Sequence, residues 1–173
     1  MKKILFALIG IVFLILLAAA ILPENFKIEQ EVVINKPQSE VFEYLKMMKN
    51  ENEWSPWIKK DPKIVQNFTG EDGTVGFIAS WSGNDEVGAG EQEIVKITPD
   101  ERIDFELRFI KPMKAKNNSY LITEAISETK TKVKWGMIGR TKFPFNIVCF
   151  FMQKKVANEF ANGLDNLKTI LEK

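Results

Sequence analysis

An unbroken apolar segment near the N-terminus constrains this chain more than any other feature. Residues 4–22 read ILFALIGIVFLILLAAAIL, and no charged, amide or hydroxyl side chain interrupts the run. At about 1.5 Å per residue, a helix of this length spans roughly 28 Å, close to the hydrocarbon thickness of a bilayer. We therefore predict that residues 1–23 form an N-terminal transmembrane anchor and that residues 24–173 form a separate domain.

A cleaved signal peptide is the alternative interpretation of the same segment. Lys2 and Lys3 precede the apolar run, and Ala18–Ala20 offers small residues for a cleavage site. The run continues past these alanines and is longer than the usual signal-peptide core, which favours an uncleaved anchor. With the two lysines in the cytoplasm, the positive-inside rule predicts a single-pass membrane protein whose domain lies on the extracytoplasmic side.

The composition excludes several classes of function. The chain has no histidine, so Ser-His-Asp triads, Cys-His dyads and histidine metal sites are all excluded. The single cysteine, Cys149, cannot form an internal disulfide. The 24 basic and 23 acidic residues are nearly balanced, without the basic excess that is typical of nucleic-acid binders. We expect no nucleic-acid partner, no metal site and no bound cofactor.

Alternating apolar residues after the first segment predict an antiparallel sheet with one apolar face. Residues 26–34 alternate as a half-buried strand, and turn signals at hairpin spacing separate about six further strands. A helical pattern from about Pro144 to Leu171 closes the chain. We predict an α+β fold, in which a curved antiparallel sheet of about seven strands wraps around the long C-terminal helix, with two short helices after strand one.

Five segments, in this order, carry a resemblance to a known superfamily. They are IEQEVVINKPQSEVFEYL at 28–45, WSPW at 54–57, GEDGTVGFIASWSG at 70–83, GAGEQEIVKITPDERIDFELRF at 88–109 and FANGLDNLK at 160–168. Together with the order of elements, they resemble the helix-grip fold of the START, pollen-allergen and polyketide-cyclase superfamily (SRPBCC). Within it, they are most similar to the polyketide cyclase/dehydrase and lipid-transport branch, and the resemblance covers nearly all of residues 26–172.

This resemblance implies a deep, mostly apolar cavity between the sheet and the long helix. Members of the superfamily bind lipids, sterols, polyketides or other apolar small molecules, and a minority catalyse cyclisation or dehydration in the cavity. The branch has no universal catalytic motif, so the resemblance supplies no catalytic residues for this chain. Fold alone does not decide between these functions.

The predicted binding site combines two tryptophans at the cavity mouth with the inner faces of the sheet and helix. Glu124 shares strand parity with Tyr120 and Ile122, and burial on that face would raise the pKa of its carboxyl. The alternative is a filled core with ordinary aromatic packing. The expected ligand-binding residues are Trp54, Trp57, Phe77, Trp81, Phe105, Leu107, Phe109, Tyr120, Ile122, Glu124, Trp135, Met137, Met152, Val156 and Phe160.

Three functions stay open on this sequence. The leading hypothesis is membrane-tethered binding of an apolar small molecule or lipid in an internal cavity, with residues 4–22 in the membrane. The first alternative is an enzyme of the cyclase/dehydratase type that uses buried carboxylates, with Glu124, Glu91 or Tyr120 as acid–base groups. The second is a partner-binding domain whose cavity is vestigial, which a filled interior would favour.

Overall fold

A seven-stranded antiparallel sheet and a long C-terminal helix organise this chain. The computed structural model describes residues 2–173, so Met1, the first residue of the predicted membrane segment, lies outside the described residues. The elements are α1 (Lys2–Ile21), β1 (Asn25–Ile34), α2 (Gln38–Lys46), a 3₁₀ turn (Met48–Asn50), α3 (Glu51–Trp54), α4 (Pro56–Lys60), β2 (Val65–Thr69), β3 (Ile78–Ser82), β4 (Ala89–Thr98), β5 (Arg102–Lys111), β6 (Ala115–Ser127), β7 (Lys130–Arg140) and α5 (Asn146–Leu171).

The order of strands across the sheet is β1-β7-β6-β5-β4-β3-β2, with every pair antiparallel. Two irregularities in the pairing of β4 with β5, at Ala89/Gly90 and Ile94/Lys96, bend the sheet and increase its twist. Helix α5 packs on the concave face, mainly against β1. The predicted helix-grip fold, with seven strands, a long C-terminal helix and short helices after strand one, is confirmed.

Aromatic side chains divide the space between the sheet and α5 into two halves. One half is a filled core. A cluster of Trp54, Trp135 and Phe160 borders it, with ring centroids 4.9 Å apart for the two tryptophans and 4.1 Å apart for Trp135 and Phe160. A Cβ at Gly163 would lie 2.7 Å from the Trp135 ring, so this glycine permits the close approach of α5. The fully buried aliphatic residues of the filled half are Ile34, Val41, Ile94, Ile103, Val133, Leu164 and Leu167.

In β6, the side chains that face inward are the opposite set from the one that the sequence pattern predicts. The alternation predicts Tyr120, Ile122 and Glu124 on the inner face, and this facing is wrong. Leu121 is buried beneath the sheet, where it pairs with Trp135 of β7. The apolar residues of β6 therefore occur on both faces, and alternation alone assigns them to the wrong one.

Tyr120 explains this error, because it is buried on the outer face of the sheet. Its partner on β7 is Gly136, which has no side chain and leaves room for the phenol ring. The Arg102 guanidinium carbon lies 4.4 Å from the ring centroid, and the Tyr120 hydroxyl donates a hydrogen bond to the Glu29 carboxylate. An aromatic residue can thus be 3 % exposed without facing the core.

Helix α1 ends directly against the domain. Ala19 is buried there, and the Asn146 side-chain amide donates to the carbonyl oxygens of Ala19 and Leu22, at 2.7 and 3.0 Å. These bonds satisfy carbonyls that would otherwise have no partner at the end of a helix. The other apolar side chains of α1 are largely exposed, and the helix is long and apolar enough to be either a membrane span or a signal sequence.

Adjacent alanine substitutions in β6 test its facing. Leu121→Ala removes a buried side chain and should lower the free energy of unfolding by about 2–4 kcal/mol. Ile122→Ala, the matched control on the outer face, should cost about 1 kcal/mol or less. Denaturant unfolding of the full chain in detergent, followed by tryptophan fluorescence, measures both. Equal losses, or a larger loss for Ile122→Ala, would contradict the register described here.

Candidate functional site

The second half of the interior is an open cavity of about 300 Å3, at the lower end of the range for ligand sites. It lies between the concave side of the sheet, the short helices α3 and α4, and the first half of α5. Most of its wall is apolar, as ligand pockets usually are. The apolar lining consists of Met48, Trp57, Ile58, Ile64, Phe68, Ala79, Trp81, Val87, Leu107, Phe109, Pro112, Trp135, Met137, Met152, Val156 and Phe160.

Nine of the fifteen residues expected to bind a ligand lie on this cavity wall. The sheet supplies five of them, α5 supplies three, and α4 supplies the remaining tryptophan. Their contact with a ligand stays a prediction. The nine residues are Trp57, Trp81, Leu107, Phe109, Trp135, Met137, Met152, Val156 and Phe160.

Three other expected residues belong to the filled core. Trp54 is 2 % exposed and presses edge-on against Trp135, so it supports the cavity wall from behind. Phe77 and Phe105 are equally buried, and neither lines the cavity. The pattern of inward-facing aromatics is thus shared between a packed core and a pocket, which the sequence alone does not separate.

The remaining three, Tyr120, Ile122 and Glu124, lie on the outer face of β6. The Glu124 carboxylate accepts a hydrogen bond from the Lys134 ammonium at 2.6 Å. Its predicted burial in the cavity is therefore wrong.

Glu91, another carboxylate considered for acid–base chemistry, also lies on the outer face. The Arg108 guanidinium bridges it at 2.5 Å and also binds Glu93 and Glu106, at 2.7 and 2.8 Å. Hydrogen bonds from the Lys116 ammonium and from the Arg108 guanidinium hold the pKa of Glu106 below its ordinary value. The cluster of carboxylates on β4 and β5 is thus a surface ion-pair network, separate from the cavity.

Glu51, which is absent from the predicted site, contributes a carboxyl group to the cavity wall. It is the first residue of α3 and is partly buried there. Burial raises its pKa to about 7, because a charged carboxylate is poorly solvated there. The Gln92 side-chain amide, 3.4 Å away on β4, donates to the carboxyl and partly offsets this rise. Near neutral pH, this group can hold or release a proton.

Two signals in the sequence could have identified this polar pair. Glu51 stands three residues before Trp54, in the segment that the resemblance places near the cavity. Gln92 lies between Glu91 and Glu93 and therefore has the opposite strand parity, which is the inward one. The polar lining of the cavity is completed by Asn52, Ser55, Gln66 and Ser119, with Glu86, Lys111 and Lys155 at its exposed edge.

The arrangement suits an apolar molecule that carries one or a few polar groups. Apolar walls favour removal of the molecule's hydrocarbon surface from water. The protonated Glu51 carboxyl can donate to a carbonyl or hydroxyl of the guest, and the Gln92 amide can donate or accept. A small number of placed polar groups is what fixes the orientation of a ligand in a mainly apolar pocket.

Comparison with known families identifies the domain. The family described as polyketide cyclase / dehydrase and lipid transport matches residues 25–172. The chain belongs to this family. The match covers every strand and α5 and leaves α1 outside, in agreement with the resemblance on the five sequence segments. No curated protein sequence matches the chain.

Solved structures share the fold of this family member at low sequence identity. A protein from Thermobifida fusca, solved by NMR, has a TM-score of 0.65 at 13 % identity, over 82 % of this chain and 90 % of the other. Norcoclaurine synthase from Thalictrum flavum, in complex with dopamine and hydroxybenzaldehyde, has a TM-score of 0.65 at 10 % identity, over 86 % and 87 %. Aha1 from Colwellia psychrerythraea, solved as a dimer, has a TM-score of 0.57 at 16 % identity, over 85 % and 96 %.

Glu51 should make the domain less stable as the pH rises. Because its pKa is about 7 in the folded state and near 4.5 when unfolded, the folded state binds the extra proton between these values. Stability from this group is complete below pH 4.5 and is lost as the pH rises to 7, by up to about 3 kcal/mol. Glu51→Gln should therefore gain stability relative to the wild type as the pH rises from about 5 to about 8.

Thermal unfolding of the two full-length proteins in detergent measures this difference. Glu128→Gln, in the exposed turn between β6 and β7, is the matched control and should show no such dependence on pH. A stability difference between Glu51→Gln and the wild type that is the same at both pH values would contradict a raised pKa at Glu51.

Proposed function

We propose that this protein is a membrane-tethered binding protein, which holds an apolar small molecule or lipid in the cavity between its sheet and α5. The observation that carries the proposal is the open cavity of about 300 Å3 with its predominantly apolar wall. Tryptophan, phenylalanine and methionine side chains that line a cavity of this size lack the van der Waals contacts that they would make in a filled core. A guest molecule would restore that packing and gain the hydrophobic free energy of burial.

In this proposal, α1 is the membrane tether, and the domain lies on the extracytoplasmic side. Its length and composition suit a membrane span, and the hydrogen bonds from Asn146 join its end to the start of α5. Apolar molecules partition into bilayers, so a domain fixed at the surface meets them at a high local concentration. No cofactor and no nucleic acid enters this function.

Two observations bear on the alternatives. A filled interior would favour a partner-binding domain with a vestigial cavity, whereas half of the interior here is an open cavity. An acid–base enzyme of the cyclase/dehydratase type is the second candidate, and Glu51 favours it. A carboxyl with a pKa of about 7 exchanges protons near neutral pH, as general acid–base catalysis requires. Binding is common to both functions, so it is tested first.

A brominated alcohol reports occupation of the cavity by quenching tryptophan fluorescence. Trp57, Trp81 and Trp135 line the cavity, and α1 contains no tryptophan. We expect 11-bromoundecan-1-ol to quench the full chain saturably in detergent. Ala79→Phe adds a ring to the cavity wall and should weaken the apparent affinity at least about tenfold, or roughly 1.4 kcal/mol.

Ala125→Phe is the matched control, because Ala125 is exposed on β6, outside the cavity. It should bind the alcohol as the wild type does. Equal quenching of the wild type and Ala79→Phe, or quenching that does not saturate, would show that the alcohol does not enter the cavity.

Native mass spectrometry of the full chain tests the natural occupant and the tether together. Protein extracted from its own membrane fraction should carry an apolar molecule, and Ala79→Phe should retain less of it because its cavity is smaller. The intact mass should include residues 2–20. A mature protein that begins after Ala20 would show that α1 is a signal peptide. A chain without any adduct would contradict the proposal that the cavity holds a natural ligand.

A further inference from the structure

The cavity opens at one end of the sheet. The strand register defines this end, where Asn25 pairs with Arg140 and Ala89 pairs with Lys111. Six residues of the cavity wall are exposed, and Phe68 is the one that belongs to the edge strand β2. The other five come from the β3–β4 loop, the end of β5, the β5–β6 loop and the first half of α5, and they are Glu86, Lys111, Pro112, Met152 and Lys155.

Large apolar side chains surround this opening and face solvent. The six that flank it lie on the β5–β6 hairpin, in the connection from β7 to α5 and at the start of α5. Each is at least 48 % exposed, and one of them, Phe151, is 72 % exposed. Phe145, Val148 and Phe151 recur at every third residue, from the position just before α5 along its outward side. Groups of exposed apolar residues mark interaction sites for proteins or membranes. We define the mouth patch as Ile110, Met113, Phe143, Phe145, Val148 and Phe151.

The two chain segments that contain the mouth patch carry only basic charges. Residues 107–123 and 140–158, which contain the patch, include no acidic residue. Glu86, the acidic residue of the rim, is paired with Lys60 at 3.2 Å and lies 4.0 Å from Lys155. Within residues 2–173, four lysines of these segments form no salt bridge, namely Lys111, Lys114, Lys142 and Lys154. An apolar face edged by lysines is typical of surfaces that lie on anionic lipid.

Helix α1 joins the domain at this same end. Asn146, whose amide binds the end of α1, lies between Phe145 and Val148 of the mouth patch. Glu24, two residues after Leu22, is held by Arg140 at 2.7 Å and by the backbone N–H of Phe143 at 3.1 Å. If α1 spans a bilayer, this short, bonded connection holds the mouth patch at the bilayer surface.

We propose that the mouth patch is seated in the surface of a phospholipid bilayer, so that the cavity opens into lipid and exchanges its guest with the membrane without passage through water. This inference rests on the proposed function, because it takes α1 as a membrane span. Three features favour lipid over a protein partner: the attachment of α1, the surplus of lysines and the position of the cavity mouth inside the patch.

Spin labels measure the depth of the patch in a bilayer. Full-length protein with Cys149→Ser receives one nitroxide at a time through Phe151→Cys, Val148→Cys or Met113→Cys, in vesicles of phosphatidylcholine with phosphatidylglycerol. Thr129→Cys, at the opposite end of the sheet between β6 and β7, is the matched control. We expect collision with oxygen to exceed collision with a water-soluble nickel complex at the patch positions, by at least about threefold relative to the control.

The labels distinguish three possible positions of the mouth patch: in a bilayer, in water, or against a second copy of the chain. If the patch labels are as accessible to the nickel complex as the label at position 129, the mouth patch does not lie in the bilayer and the proposal is wrong. Patch labels shielded from both reagents and broadened by spin–spin coupling would also overturn it, because they indicate contact between two copies. A label from Leu8→Cys reports independently whether α1 lies in the bilayer, and quenching by 11-bromoundecan-1-ol reports binding. These two measurements separate three results: a patch that does not lie in the bilayer, an α1 that does not span it, and a cavity that does not bind the alcohol.

Discussion

The packing of Trp135 between Trp54 and Phe160 is the interaction on which the rest of this structure depends. These rings, with centroids 4.9 and 4.1 Å apart, fix the distance between the sheet and α5. On one side of them the interior is filled by aliphatic residues, and on the other side it is open. Because Trp135 and Phe160 belong both to the core and to the cavity wall, the stability of the fold and the shape of the pocket are coupled.

The fold was readable from the sequence because its elements follow simple periodicities. The alternation in β5 and β7 assigns Phe105 and Trp135 to the inner face, and the helical spacing of α5 assigns Phe160 to the core. In β6 the pattern misleads, since Tyr120 is buried on the outer face against Gly136. The space above Gly136 depends on a neighbouring strand, which local alternation does not represent.

The sequence does not show which inward-facing residues form the filled core and which line the cavity. Phe105 and Phe109 lie on the same face of β5, yet Phe105 is packed and Phe109 lines the cavity. The difference arises from what stands opposite each ring, which depends on the curvature of the sheet and the path of α5. Glu51 was missed for a similar reason, because the position of a short helix such as α3 carries no periodic signal. Its neighbour Trp54 was the nearest indication.

Under the proposed function, the cavity and the N-terminal segment form one functional unit. The bonds of Asn146 and Glu24 place the end of α1 beside the opening of the pocket, so that α1, if it spans a membrane, also orients the domain. The most direct test is the electron density inside the cavity, in crystals of the full chain purified from its own membranes. We expect continuous non-protein density between Trp135 and Met152, adjacent to Glu51. A cavity closed by inward rotation of Trp57, Trp81 or Met152, without a guest, would contradict it.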